Sequence, residues 1–134
     1  MRPLSLAMLA VSIAVVGGLA GAPARAHHAF AAEFDANKPV TLEGRVTSVE
    51  WTNPHVWVNL DVKGQNGAVA QWRCEGGSAS GLRRNGWTRT SLKPGEAVKI
   101  DGFLARQAAQ TCNIRTVTTT NGRTVFSGPA PAAQ

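Results

Sequence analysis

The sequence predicts a mainly β domain, because short runs of alternating apolar and polar residues recur along it with turn residues between them. The clearest run is 55–62, where every second residue is apolar. Asn121-Gly122 is a strong two-residue signal for a β-hairpin. Within 40–51 the alternation changes phase, which predicts one long strand bent by a bulge or at Gly44.

The remaining elements follow in order along the chain. Ser78 or Ser80 can cap a short helix, and Gly86 can close it. Three strands, a short helix and then further strands is the order of a small OB-like barrel of five to six strands, with an open β-sandwich as the alternative. The predicted elements are strands at 40–51, 55–62, 68–75, 96–106, 112–119 and 123–126, with the short helix at 78–84.

The first 26 residues have the three zones of a cleavable signal peptide. Arg2 supplies positive charge, 4–20 is almost wholly apolar, and Ala24-Arg25-Ala26 has the small-x-small pattern of a cleavage site. The sequence therefore predicts an exported protein, periplasmic or secreted, with no membrane anchor after cleavage. Its single domain is expected at 27–128, with a flexible tail at 129–134.

Export from the cytoplasm changes what the cysteines and the net charge indicate. Cys74 and Cys112 are the two cysteines of the chain, and an oxidising compartment favours a disulfide between them over a reactive or metal-binding pair. The formal net charge of +6 would suggest nucleic-acid binding in a cytosolic protein. For an exported protein, it favours solubility or weak attraction to anionic surfaces.

Several phrases of the sequence resemble those of a small exported bacterial protein family that carries a domain-of-unknown-function label. The most specific is the E-W-x-N-P-H phrase at 50–55, which follows an H-H-x-F start at 27–30. Glu75-Gly76-Gly77-Ser78 and Leu92-Lys93-Pro94-Gly95 complete the likeness, which extends to about Gly128. The resemblance implies a secreted β-barrel-like domain and brings no activity.

The three histidines of the chain are the candidate metal ligands: His27, His28 and His55. Cleavage after Ala26 makes His27 the N-terminal residue, so that its α-amine and imidazole can chelate one metal ion. His55 is then the natural third nitrogen ligand, and such a nitrogen set suits copper as Cu(II). His28 offers a second route through its imidazole, the amine and the intervening amide. The alternative is a flexible tail and a histidine that only packs in its turn.

A polar and aromatic face is the second candidate site. Trp57 lies on the polar side of its strand with Asn59, and Glu50 and Asn53 approach from the preceding turn. Such a face could bind a small envelope ligand or a protein partner, whereas the alternative is that Trp57 covers one end of the barrel. We expect the other three tryptophans to be core residues. The arginine pair at 83–84 indicates an anion site or a solvated face.

Familiar catalytic motifs are absent from the sequence, since it has no G-x-S-x-G, no H-E-x-x-H and no phosphate-binding glycine loop. An enzyme is therefore the weaker interpretation. The leading hypothesis is an exported module that binds copper or another metal through its mature N-terminus. The second hypothesis is a metal-free domain that binds a small ligand or a partner on the face of His55 and Trp57.

Overall fold

The computed structural model describes residues 30–127. The predictions for the signal peptide, His27, His28 and the tail lie outside these residues. Residues 30–33 form a helical turn that leads into the first strand. The strands and the helix that follow are β1 Phe34–Trp51, β2 Val56–Lys63, β3 Val69–Glu75, α1 Ala79–Arg84, β4 Ala97–Ala105, β5 Thr111–Thr119 and β6 Thr124–Ser127.

Five of the six strands close into a ring through backbone hydrogen bonds. β1 pairs antiparallel with both β2 and β4, β2 pairs with β3, and β4 pairs with β5. A short parallel pairing between β3 and β5 closes the ring. The sixth strand, β6, pairs antiparallel with β5 and is not part of the ring. The predicted mainly β fold, with five to six strands and one short helix after the third, is confirmed.

The long first strand serves both sides of this closure. A register shift between Val46 and Ser48 is the irregularity that the phase change of the sequence predicts. Gly44 pairs with β2 and β4 at the same position, and a Cβ atom there would stand 2.5 Å from the carbonyl oxygen of Asp61. The glycine therefore lets β2 approach β1 closely at this position.

β1 begins earlier than the sequence predicts, at Phe34 instead of Val40. The intervening segment is polar and contains Pro39, so it has no alternating pattern to recognise. It is extended because Phe34 and Pro39 both pair with the far end of β4, with a register irregularity between them.

The inward residues of the strands form one hydrophobic core. The inward side of β2 is the predicted one, and Val56, Val58 and Leu60 are each 1% exposed. Trp87 is buried, while Trp51 and Trp72 are partly buried against the core. The other buried apolar residues include Leu42, Val46, Leu82, Leu92, Val98, Ile100, Ile114 and Val117.

The helix α1 is a single short element at the end of β3. The Ser78 side chain caps it by accepting a hydrogen bond from the backbone amide of Gly81. Leu82 is its buried residue, and Gly86 follows with a φ of +84° that favours glycine. The cap and the closing glycine are those that the sequence predicts.

The predicted disulfide is present between Cys74 and Cys112. The two cysteines are register partners in the parallel β3–β5 pairing, with their Cα atoms 4.5 Å apart, and both are fully buried. The disulfide therefore fastens the pairing that closes the ring. Within 30–127, no helix has the length and apolar character that a membrane crossing requires.

Candidate functional site

His55 lies against Glu75 where the turn after β1 enters β2. The turn contains a cis peptide bond between Asn53 and Pro54, and the Thr52 hydroxyl donates a hydrogen bond to the carbonyl oxygen of His55 at 3.1 Å. The next residue, Val56, exchanges backbone hydrogen bonds of 3.0 and 2.7 Å with the glycine pair that follows β3. These bonds hold the start of β2 at the end of β3, where the Nδ1 atom of His55 contacts Oε1 of Glu75.

Glu75 is a buried carboxyl group on the outward side of the ring. Its side chain is 6% exposed, whereas the His55 side chain is 45% exposed. Burial raises the pKa of the Glu75 carboxyl above its ordinary value, the His55 charge opposes this shift, and the negative charge of Glu33 adds to it. The pair thus joins one buried carboxyl group to one solvent-facing imidazole.

This pair can hold the imidazole in one orientation. When Glu75 is ionised, the Nδ1–H group of His55 donates to the carboxylate, and the Nε2 atom keeps its lone pair. A carboxylate that accepts from one ring nitrogen is the usual support for a histidine that ligates a metal ion through the other nitrogen. The arrangement therefore suits metal ligation or proton transfer at Nε2.

A second polar cluster, here called the Glu50 network, lies on the same outward side. Asn59 donates to Oε1 of Glu50 at 2.6 Å and to the Ser48 hydroxyl at 2.9 Å. Arg73 donates to Oε2 of Glu50 at 3.0 Å, and its guanidinium carbon stands 4.2 Å from the centre of the Trp57 ring. The hydrogen bond from Asn59 and the charge of Arg73 lower the pKa of the Glu50 carboxyl.

The strand register explains why these side chains meet. Register partners point to the same side of a sheet, so Glu50 beside Trp57, and Trp57 beside Glu75, share the outward side. Glu75 is in turn the partner of Asn113, which is the partner of Phe103. These five residues form a row across five strands, here called the outward row.

The structure brings together most of the residues that the sequence singles out on this face. Trp57, Asn59 and Glu50 are in one cluster, whereas Asn53 is exposed in the turn before His55. Arg73 and Glu75 of β3 also lie on this side, although the sequence gives no partner for either residue. The only sign in the sequence that they face outward is their alternation with the inward Cys74. Their partners cannot be predicted, because the pairing of β3 with β2 joins residues far apart in the chain.

The start of the described chain is fastened to the end of β4. The Phe30 ring contacts the Phe34 and Phe103 rings, with centroids 5.7 and 6.0 Å apart respectively. Arg106 donates to the carbonyl oxygen of Ala31 through its side chain and to that of Glu33 through its backbone, both at 2.8 Å. Because Phe103 belongs to the outward row, the chain enters the fold on the side of Glu75.

Within 30–127, no group of three or more histidine, cysteine, aspartate or glutamate side chains is arranged to hold a metal ion. His55 with Glu75 supplies one exposed nitrogen ligand and its carboxylate support.

Comparison with known proteins assigns the chain to a family. Residues 15–114 match a family of unknown function, DUF6152. The chain belongs to that family. No curated protein matches the chain.

One solved structure with partial similarity is the crystal structure of TiaS in complex with a transfer RNA and ATP. It is 22% identical over 60% of this chain, with a TM-score of 0.45, and the match covers 18% of that protein. The similarity is too low to assign a shared fold or activity.

Proposed function

We propose that this protein is an exported binding module that holds a metal ion between His55 and the N-terminus created by cleavage after Ala26. The ion that best suits the ligands is Cu(II). The observation that carries the proposal is the contact between the buried Glu75 carboxyl group and Nδ1 of the exposed His55 imidazole.

His55 has the features of a prepared metal ligand. Its Nδ1 atom is engaged by a carboxyl group that is itself 6% exposed, so the orientation of the ring is determined by the protein interior. The His55 side chain is 45% exposed, and Nε2 is the ring nitrogen that Glu75 does not engage. An imidazole nitrogen combined with an amine nitrogen favours Cu(II) among the common divalent metals.

The described part of the chain begins beside the outward row. Phe30 contacts Phe103, which belongs to the row, and Glu33 is close enough to Glu75 for its charge to affect the pKa of that carboxyl. An extended chain spans at most about 3.6 Å per residue, so the three residues from Phe30 back to the proposed N-terminus allow a reach of roughly 11 Å. The amine and imidazole of His27 can then add two nitrogen ligands to Nε2 of His55.

His28 offers the alternative nitrogen set that the sequence suggests. The two residues from Phe30 back to His28 allow a reach of roughly 7 Å by the same rule. In either case the metal would join the two ends of the segment 27–55 and stabilise the folded chain by mass action.

A small ligand on the face of His55 and Trp57 is the second candidate, and the geometry supports it less. Arg73 covers one face of the Trp57 ring, and Glu50 and Asn59 are already hydrogen-bonded to each other. A ligand would have to displace contacts that are already made. A metal ion that binds Nε2 of His55 would not have to displace these contacts.

The test is a Cu(II) titration of the chain that begins at His27, followed by spin resonance of the Cu(II) form. We expect one tight site with nitrogen ligands, which is lost in His55→Ala and in a chain extended by one alanine before His27. Glu75→Gln should weaken binding by about tenfold, the usual effect of removing a carboxylate support. Glu50→Gln is the matched control and should bind as the unmodified chain does.

Two results would contradict the proposal. Weak binding that survives both His55→Ala and the extension would show that the histidines form no common site. Binding that is lost on extension but retained in His55→Ala would leave the metal with the N-terminus alone. Circular dichroism of each variant separates these results from a loss of folding.

A further inference from the structure

The connection between β3 and β4 carries a concentration of positive charge. Residues 76–95 contain Arg83, Arg84, Arg89 and Lys93 but no aspartate or glutamate. All four side chains are exposed. Among residues 30–127, the three arginines take part in no ion pair, so their charge is uncompensated by the part of the chain that the structure describes.

Two of these arginines are held beside one aromatic ring. The guanidinium carbons of Arg83 and Arg89 each stand 5.9 Å from the centre of the Trp51 ring, which packs partly against the core. Arg83 lies in the last turn of α1, and Arg89 lies in a turn between Thr88 and Ser91. Both arginines therefore lose less conformational freedom on binding than arginines on a mobile loop would.

This arrangement fits a carboxylate partner. Guanidinium groups bind carboxylates through two parallel hydrogen bonds, and a ring beside the guanidinium leaves its edge donors exposed. The apolar side chains Leu82, Trp87 and Leu92 of the connection are buried, so it has no large apolar group to insert into a lipid layer. The surface therefore favours an acidic protein segment over a membrane.

We propose that the β3–β4 connection is a docking surface for an acidic segment of a partner protein, recognised by Arg83 and Arg89 around Trp51. The surface adjoins the His55 turn, because the carbonyl oxygen of Gly77 accepts a hydrogen bond from the amide of Val56 at 3.0 Å. The proposal holds whether or not a metal binds at His55.

The test measures binding of a fluorescent oligoglutamate peptide to the full mature chain at low ionic strength, with an oligoglutamine peptide as the negative control. We expect the double variant Arg83→Gln and Arg89→Gln to weaken binding by about tenfold, since two charge-assisted contacts are lost. The matched control is Lys99→Gln with Arg115→Gln, which removes the same charge from exposed positions on β4 and β5. It should change the affinity by less than about twofold.

Three results would overturn the proposal. An equal loss in both double variants would mean that only the net charge attracts the peptide. The absence of any oligoglutamate binding would exclude an acidic segment as the partner. Vesicles of phosphatidylglycerol and phosphatidylcholine that bind through Arg83 and Arg89, while the peptide does not, would assign the surface to a membrane.

Discussion

Glu50 and Glu75 lie two places apart on the outward row and have opposite electrostatic environments. Glu75 is enclosed by protein, which favours its neutral form and raises its pKa. Glu50 is 41% exposed and accepts hydrogen bonds from Asn59 and Arg73, which favour its ionised form and lower its pKa. The two carboxyl groups are therefore suited to different tasks: Glu75 orients an imidazole, and Glu50 links β1 to β2 and β3.

The first residue-scale prediction concerns the pKa of Glu50. Asn59→Ala should raise it, because the hydrogen bond from Asn59 is the largest cause of its lowering. Arg73→Ala should also raise it, because the charge and the hydrogen bond of Arg73 both lower this pKa. Both shifts can be followed by NMR titration of the side-chain carboxyl carbon. Gln71→Ala, an exposed change on the same strand as Arg73, is the control, and an equal rise there would contradict the assignment.

The same shift predicts a weak pH dependence of stability. Because the pKa of Glu50 is lower in the folded protein than in the unfolded chain, its contribution is present above the unfolded value and is lost as the pH falls through the folded value. The contribution is small because solvent screens an exposed pair. Urea unfolding of the apo protein across the acid range should therefore show a shallower acid dependence for Asn59→Ala.

At this scale the sequence could predict which residues face outward but not which of them pair. His55 is recognisable because histidines are few and it follows a turn. Its partner Glu75 is 20 positions away in sequence and lies on another strand. No local pattern links the two residues, since their contact arises from hydrogen bonds between the start of β2 and the end of β3.

At the scale of the elements, β4 and β5 approach each other closely at Gly102. A register shift occurs between Asp101 and Gly102, and a Cβ atom on Gly102 would stand 2.0 Å from the carbonyl oxygen of Asn113. Since this atom belongs to the backbone of the neighbouring strand, it cannot move without displacing β5. Asn113 is also the residue beside Glu75 in the outward row.

We predict that Gly102→Ala lowers the free energy of unfolding by about 2–3 kcal/mol, the upper part of the usual range for overpacking. Urea denaturation followed by circular dichroism measures the loss. Gly77→Ala is the control, because its Cβ atom would stand 3.7 Å from the Leu82 side chain, which is ordinary contact. Equal stability of the two variants would mean that β5 adapts without cost.

The elements that the sequence predicts well are those with a strong local pattern. The alternation within 55–62 and the hairpin at Asn121-Gly122 depend only on neighbouring residues, because side chains alternate along any strand. The first six residues of β1 were missed since their extended conformation comes from pairing with β4.

At the scale of the whole molecule, closure of the ring depends on a short contact. β3 and β5 pair through three register positions, and the central one is Cys74 with Cys112. Each flanking position carries a residue of the outward side, Arg73 or Glu75. The disulfide therefore fastens the seam on which the Glu50 network and the His55–Glu75 pair both depend.

Replacing both cysteines with alanine should lower the free energy of unfolding by about 3–4 kcal/mol, because the 38-residue separation makes a long closed loop in the unfolded chain. Denaturation in urea measures the change. The unmodified protein with and without reductant is the control, and reduction should reproduce most of the loss. Unchanged stability in both cases would mean that hydrogen bonds alone close the ring.

The sequence by itself determined the fold class, the order of the elements, the helix cap and the cysteine pair, because alternation, turn chemistry and capping act between neighbouring residues. It also singled out His55, Trp57, Glu50 and Asn59 as polar groups of one face. Only the tertiary structure decided the parallel closure of β3 on β5, the burial of Glu75 against His55 and the position of Arg83 and Arg89 beside Trp51. These contacts join residues far apart in the chain, and the strand register that brings them together is set by non-local hydrogen bonds and packing.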